Sequence, residues 1–433
     1  MADIMFSAYT DCAEFQKVPA LIGKYTKIGQ VIDYGVRNYV IDVNSVMQEE
    51  YLQYLKTLEL AGFAKHSDNG EQGLEGFVYT ATYVKDSLVV TVIYLAELDK
   101  VCISATFHQP LSEHLKYQRA SKEVGNAKTR IHMPQLNSAG NSFIIQLKNG
   151  HFVIHDGGMR IDAPYLLDYL EELAPTGEKP IIEGWFISHA HDDHYGAMLW
   201  ISNRAEELER ICVEGFYFHC PGVYTTMWNG DLFVETVMAT TPKFKTSEGR
   251  TTPCYRPQIG QKYYFCDVEI AICLTPELFA EDGYRYNSDI NDTSIWLMHT
   301  IEGQKFLLAG DAAHTSCYAA MSIYKKTYFD MDIFAALHHG VNSYDYFTDY
   351  IQMDTVLFPS FRLGSIYKDA TITSARVKQN EHLMEKAKES LSYEDGTVIL
   401  EFPYITGSAA IVETFDWRYN EGGKRMLIDY DNL

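Results

Sequence analysis

Three histidines and two aspartates fall within seven consecutive residues, Ser188-His189-Ala190-His191-Asp192-Asp193-His194, and the run closes on Tyr195-Gly196. Before it, Ile181-Ile182-Glu183-Gly184-Trp185-Phe186-Ile187 is an apolar stretch that reads as a buried strand, and after it Ala197-Met198-Leu199-Trp200-Ile201 has the apolar spacing of a helix. Imidazoles and carboxylates are therefore crowded onto one strand-to-helix turn. Those are the ligands that borderline divalent metals accept, and a short loop can aim them at one or two ions. A polar surface loop is the plainer alternative, but one turn reading His-x-His-x-Asp-His favours the metal.

The bulk composition narrows the rest. A chain of 433 residues exceeds what one hydrophobic core usually covers, so two domains are expected. No apolar run reaches the roughly 20 residues that span a bilayer. The first residues, Met1-Ala2-Asp3-Ile4-Met5-Phe6, lack the basic-then-apolar pattern of a signal peptide, which makes a cytoplasmic location the expectation. Eight cysteines are scattered without a Cys-x-x-Cys pair, which matches neither a zinc knuckle nor a disulfide framework. A formal charge of −22 argues against nucleic acid, whose phosphates need basic patches. It still allows an anionic small-molecule substrate, because a bound divalent ion would dominate the local field.

Along the chain, residues 1–108 read as a small α+β unit. A helix is predicted over Val46 to Phe63, with Tyr51, Tyr54, Leu55 and Leu58 at helical spacing. Strands follow at Phe77 to Val84, Leu88 to Leu95 and Val101 to Phe107. No cluster of His, Asp, Glu or Cys suggests chemistry in this unit, which would shape substrate access or mediate homo-oligomerisation. Residues 109–130 are polar and form the expected linker. From 131 to 433 a second domain is expected. Its first strands, Asn141 to Leu147 and His151 to Asp156, flank the hairpin signal Asn149-Gly150. A helix is predicted over Asp162 to Leu173, a strand over Ile211 to Phe218, and an irregular covering or lid segment over Pro221 to Gln261. The apolar runs Lys305 to Ala309 and Ile333 to Leu337 end in Gly310-Asp311 and His338-His339-Gly340, at the carboxyl ends where open α/β sheets place their sites. Helices are predicted at Ala312 to Tyr324 and Asn380 to Leu391, and closing strands at Thr355 to Pro359, Thr397 to Phe402 and Ala409 to Phe415.

On the opening motif, with Asp156-Gly157-Gly158, Gly310-Asp311 and His338-His339-Gly340 following in order, the sequence resembles the metallo-β-lactamase superfamily of metal-dependent hydrolases over roughly residues 130 to 415. The resemblance implies an αββα sandwich, here joined to the small N-terminal α+β domain, and a centre for one or two divalent ions. Zinc comes first, with manganese or iron as alternatives. It implies that His189 and His191 hold the first ion, that Asp193, His194 and His339 hold the second, and that Asp311 bridges the two. Asp156 would hydrogen-bond a metal-bound histidine and set its orientation. Asp193 or Asp311 would orient the attacking water. His338 would contact the substrate or protonate the leaving group, with the roles of His338 and His339 interchangeable.

One departure stands out. The family usually supplies a third histidine to the first ion, but the corresponding place reads Thr275-Pro276-Glu277, where only Glu277 could ligate. His219 comes too early in the chain to match. The first position would then be the weaker, and a single-metal protein is an open alternative. Asn291 to Ser294, together with the two later motifs, resembles the competence-protein-like and phosphorylcholine-esterase-like branch, which points to a phosphodiester or phosphoester substrate. The alternatives are a lactone or thioester hydrolase and a catalytically degenerate binding protein.

Overall fold

The computed structural model describes residues 15–21, 32–33, 38–117, 127–136, 138, 140–219, 236–276, 290–360 and 374–412. Three sheets carry the architecture. The first is antiparallel and N-terminal, in the order Ile32–Asp33, Asn38–Asn44, Lys100–Phe107, Leu88–Leu95, Val78–Lys85, Ala64–Asp68. The helix Gln48–Leu60 covers one face of it, burying Tyr51, Tyr54 and Leu58 against Val90, Val92 and Tyr94. The other face, through Leu74, Val78, Ile93 and Leu95, shares a core with Ala271, Met298 and Leu307 of a later sheet. Covered on both faces, the strand Leu88–Leu95 is buried at every position, which explains why its sequence is apolar without alternation. Asn38–Asn44 and Ala64–Asp68 are strands that the sequence pattern does not announce.

The second and third sheets stack face to face. The second runs through Ile181–Ile187, Phe152–Asp156, Ser142–Gln146, Arg130–Met133 and Thr397–Glu401, and the third through Val268–Leu274, Trp296–Ile301, Gln304–Leu308, Ile333–Ala335, Thr355–Phe358 and Glu389–Ser392. Phe143, Ile145, Val153 and Phe186 from one meet Ile270, Leu297, Phe306 and Leu357 from the other in a single core. Helices Ala163–Leu173 and Asp192–Ser202 cover the second sheet's outer face, and His314–Ile323 packs outside the third. The layers therefore read helix, sheet, sheet, helix: an α+β fold with the αββα arrangement expected from the sequence. Among the described residues no helix is long and apolar enough to cross a membrane.

Some elements differ from expectation. The helix predicted over Asn380 to Leu391 spans Ser374–Lys386 instead, and Glu389–Ser392 is a strand parallel to Thr355–Phe358. Local helix propensity loses there to sheet pairing, and the Glu389 carboxylate accepts hydrogen bonds from Tyr404 at 2.6 Å and Thr355 at 3.1 Å. The strand expected over Ile211 to Phe218 divides into Cys212–Val213 and Phe216–Phe218, either side of Glu214-Gly215, and the missing Cβ of Gly215 makes room for the Tyr255 ring. In the irregular segment, Val237, Thr241 and Phe244 are buried in the outer core, so that part covers the sheet. Residues 220–235, Glu277 and the end of the strand expected at Ala409 to Phe415 lie outside the described residues.

Candidate metal centre

Four loops converge where strands end. Ile181–Ile187 delivers Ser188, His189 and His191, and the next residues begin the helix Asp192–Ser202 with Asp193 and His194 in its first turn. Phe152–Asp156 brings Asp156, Gln304–Leu308 brings Asp311, and Ile333–Ala335 brings His338 and His339. The backbone is left-handed at Asp156 (φ 56°), Gly310 (φ 53°), His338 (φ 49°) and His339 (φ 56°). For residues with a Cβ this conformation costs about 1–2 kcal/mol each, and such strain persists where surrounding structure enforces it, commonly at functional sites.

Asp311 stands at the centre, almost wholly buried. Its Oδ1 is 3.2 Å from His194 Nε2 and 3.4 Å from His339 Nε2, while Oδ2 is 3.3 Å from His338 Nε2 and 3.8 Å from His189 Nε2. Asp193 Oδ2 lies 3.4 Å from His339 Nε2 and 3.7 Å from His194 Nε2. His189 Nε2 and His191 Nδ1 are 2.9 Å apart. Two overlapping groups result, Asp193-His194-Asp311-His339 and His189-His191-Asp311, in each of which all donor atoms lie within 4.8 Å of one another.

These residues fit a divalent cation. Bonds of about 2.0–2.2 Å in tetrahedral geometry would space ligand atoms roughly 3.3–3.6 Å apart, close to the 3.2 and 3.4 Å that separate Asp311 Oδ1 from His194 and His339 Nε2. His194 Nε2, His339 Nε2 and both Asp311 oxygens are buried without a hydrogen-bond partner among the described residues, an arrangement that is costly unless a cation satisfies them. Behind the imidazoles, the Asp156 carboxylate accepts from His194 Nδ1 at 2.8 Å, and the Pro359 carbonyl accepts from His339 Nδ1 at 3.4 Å. Each of these acceptors leaves the Nε2 lone pair facing Asp311. Asp156 is itself held by the Ser188 backbone N–H at 2.8 Å and the Ser188 hydroxyl at 2.9 Å.

The electrostatics agree. Burial disfavours charge on His194, but Asp311, Asp156 and Asp193 outweigh it and hold its pKa well above the usual value. His339, against the same burial, is pushed up to about 9 chiefly by Asp311 and Asp193. Asp311 and Asp193 are drawn below the ordinary carboxylate range by the facing imidazoles, despite burial. His189, buried beside His194, is held well below its usual value. Without an ion, protons on His194 and His339 supply the positive charge that the carboxylates demand.

No replacement appears, among the described residues, for the third histidine of the first position. Thr275 is buried, and among the described residues its hydroxyl has no hydrogen-bond partner. His219 is engaged elsewhere, with Nδ1 donating to the Pro257 carbonyl at 2.6 Å and the Arg256 guanidinium against Nε2 at 3.1 Å. His155, on the opposite face of its strand from the site, pairs with His299 at 2.8 Å between the two sheets. Two supporting residues had no sequence signal: Asn141, whose amide donates to Asp156 at 3.2 Å, and Asn342, which meets His338.

Residues 137–244, which contain the opening motif and Asp156, match the family model described as the metallo-beta-lactamase superfamily. No curated protein matches the sequence significantly. Among solved structures, a HARLDQ-motif mutant of a metallo-beta-lactamase from Cronobacter sakazakii is 16% identical, covers 45% of this chain and 71% of its own, and has a TM-score of 0.28. Zn(2+)-bound PqqB from Methylobacterium extorquens is 8% identical over 58% of this chain and 85% of its own, with a TM-score of 0.34. Tm1679, a metal-dependent hydrolase of the beta-lactamase superfamily, is 12% identical over 66% of this chain and all of its own, with a TM-score of 0.35. The family match lies within residues 137–244 and falls on the His-x-His-x-Asp-His turn itself.

Proposed function

We propose that the protein is a metal-dependent hydrolase that directs water onto an ester-type bond, with a phosphodiester or phosphoester as substrate. The observation that carries this reading is Asp311, whose two buried oxygens face two different sets of imidazoles and, among the described residues, have no hydrogen-bond partner. His189, His191 and Asp311 would hold one divalent ion, and Asp193, His194, Asp311 and His339 a second; zinc suits this nitrogen and oxygen donor set. Such an ion supplies Lewis acidity that makes water nucleophilic near neutral pH.

Exposure divides the remaining work. The side chains of His189, His194 and His339 are fully buried, whereas those of Asp193 and His338 are 19% and 21% exposed. Asp193 can therefore accept a hydrogen bond from incoming water and orient it, and His338 can reach an oxygen of the substrate. Asp311, at the floor, organises the donors around it. The phosphoester assignment draws support from the resemblance in Asn291 to Ser294, Gly310-Asp311 and His338-His339-Gly340, and from the strong local positive field that a divalent ion would create in a chain of net charge −22.

The test is metal analysis of protein purified without chelators, followed by assay of the same protein against bis(p-nitrophenyl) phosphate, lactones and thioesters. Bound zinc, manganese or iron with phosphodiester turnover is expected. Turnover of carbonyl substrates alone would replace the phosphoester reading. A metal-free, inactive protein would leave a binding role, which the missing third histidine favours.

A further inference from the structure

We propose that Asn342 fixes the tautomer of His338, keeping its proton on Nε2, so that His338 is a hydrogen-bond donor to the reacting group and not the missing metal ligand. The inference rests on the metal-centre reading above and gives a role to the Asn342 contact with His338.

What stands behind each ring sets its tautomer. His194 Nδ1 meets a carboxylate and His339 Nδ1 a carbonyl. His189 Nδ1 meets the hydroxyls of Ser188 at 3.0 Å and Ser294 at 3.2 Å; the Ser188 proton is already given to Asp156. All three partners can accept, so all three rings can carry their proton on Nδ1 and present a bare Nε2. His338 is built the opposite way. Its Nδ1 lies 2.9 Å from Asn342 Nδ2, and an amide nitrogen can only donate. The orientation of the Asn342 amide is set by a second contact, because Nδ2 also lies 3.2 Å from the Ala312 carbonyl. Rotating the amide by half a turn would put its oxygen against that carbonyl oxygen and lose the bond.

His338 Nδ1 must then accept, and the neutral ring carries its hydrogen on Nε2. That nitrogen faces Asp311 Oδ2 at 3.3 Å, a spacing that alone would suit either a ligand or a donor. The ring's setting is held from the backbone as well: His338 N–H donates to the Gly310 carbonyl at 3.1 Å, and Val341 N–H donates to the His338 carbonyl at 2.7 Å. Asn342, four residues on, thus acts as a positioning residue through His338. Two consequences follow. Among the described residues, the first metal position keeps His189, His191 and Asp311, and the partly exposed Nε2–H is available to an anionic oxygen of the substrate.

Ring ¹⁵N NMR of the full chain, labelled at histidine, tests this both metal-free and after zinc addition, with His338→Gln used to assign the His338 signals. In the unmutated chain we expect a protonated Nε2 and a bare Nδ1 on His338, with no zinc-induced coordination shift on that ring. Asn342→Asp puts an acceptor behind Nδ1 and should reverse the tautomer, so that zinc now shifts His338 Nε2. Asn342→Leu, which neither donates nor accepts, should leave a mixture of both tautomers. A protonated Nδ1 on His338 in the unmutated chain, or a zinc-induced shift at its Nε2 there, would overturn the proposal, and either is readable even if the variants fail to fold. Absence of zinc shifts on His189, His194 and His339 would instead defeat the metal-centre reading, while the metal-free tautomer still decides the role of Asn342.

Discussion

Asp156 Oδ2 lies 2.8 Å from His194 Nδ1, although 38 residues separate them in the chain. The carboxylate fixes that imidazole with its Nε2 lone pair facing Asp311. An Asp156→Asn substitution keeps the shape and weakens the acceptor. Partners of this kind typically contribute 10- to 100-fold in metal affinity, so a loss of about that size is expected in chelator competition. An unchanged affinity would remove Asp156 from the site.

Asp311 and Asp193 should behave differently. Asp311 belongs to both donor groups and Asp193 to one. Asp311→Ala is expected to abolish metal retention at both positions, and turnover with it. Asp193→Ala should spare the position formed by His189 and His191. Metal content per chain, measured after gel filtration, separates the two outcomes.

Metal affinity should rise with pH. His339 is pushed up to about 9 without an ion, and His194 is also raised. An ion must displace those protons, so the apparent affinity should climb as pH approaches about 9 and flatten beyond it. Stability of the metal-free chain should run the other way. A raised histidine stabilises fully below its unfolded value of about 6.5, and that contribution disappears as pH rises through about 9. Urea unfolding of chelated protein at pH 6 and pH 9 gives the sign directly.

Gly310 precedes the central aspartate at φ +53°, and a Cβ there would come within 2.9 Å of Ser188 Cβ and Ser294 Oγ. Gly310→Ala should destabilise by about 1–2 kcal/mol from backbone handedness, with further loss from overpacking. Metal binding should weaken too, because Asp311 would have to move. A variant as stable as the parent would contradict the close packing of these turns.

The His155–His299 pair should make the inter-sheet core acid-labile. Burial holds His299 at about 4 and His155 well below its usual value, so both stay neutral in the fold. A depressed histidine stabilises above about 6.5, and the contribution falls away as pH drops toward about 4. Replacing both with phenylalanine should flatten the unfolding free energy between pH 7 and pH 5. A slope unchanged by the double substitution would assign acid sensitivity elsewhere.

The sequence by itself determined the local part of the centre. A strand, a turn and a helix start lie close together in the chain, so His189, His191, Asp193 and His194 have few ways to point except together. Strand ends carrying Asp156, Asp311 and His339 were legible for a similar reason: an apolar run that stops at a polar residue marks its own edge. Only the tertiary structure decided what depends on contacts far apart in the chain. The Asn342 amide acquires meaning from the Ala312 carbonyl and the His338 ring together. Glu389–Ser392 is a strand because Thr355–Phe358 offers it an edge. The N-terminal sheet sits where Gly260, lacking a Cβ, lets Thr80 come close enough to donate to the Ile259 carbonyl at 2.8 Å. Side-chain periodicity encodes which face of an element is buried; it carries no record of which distant group will complete a hydrogen bond.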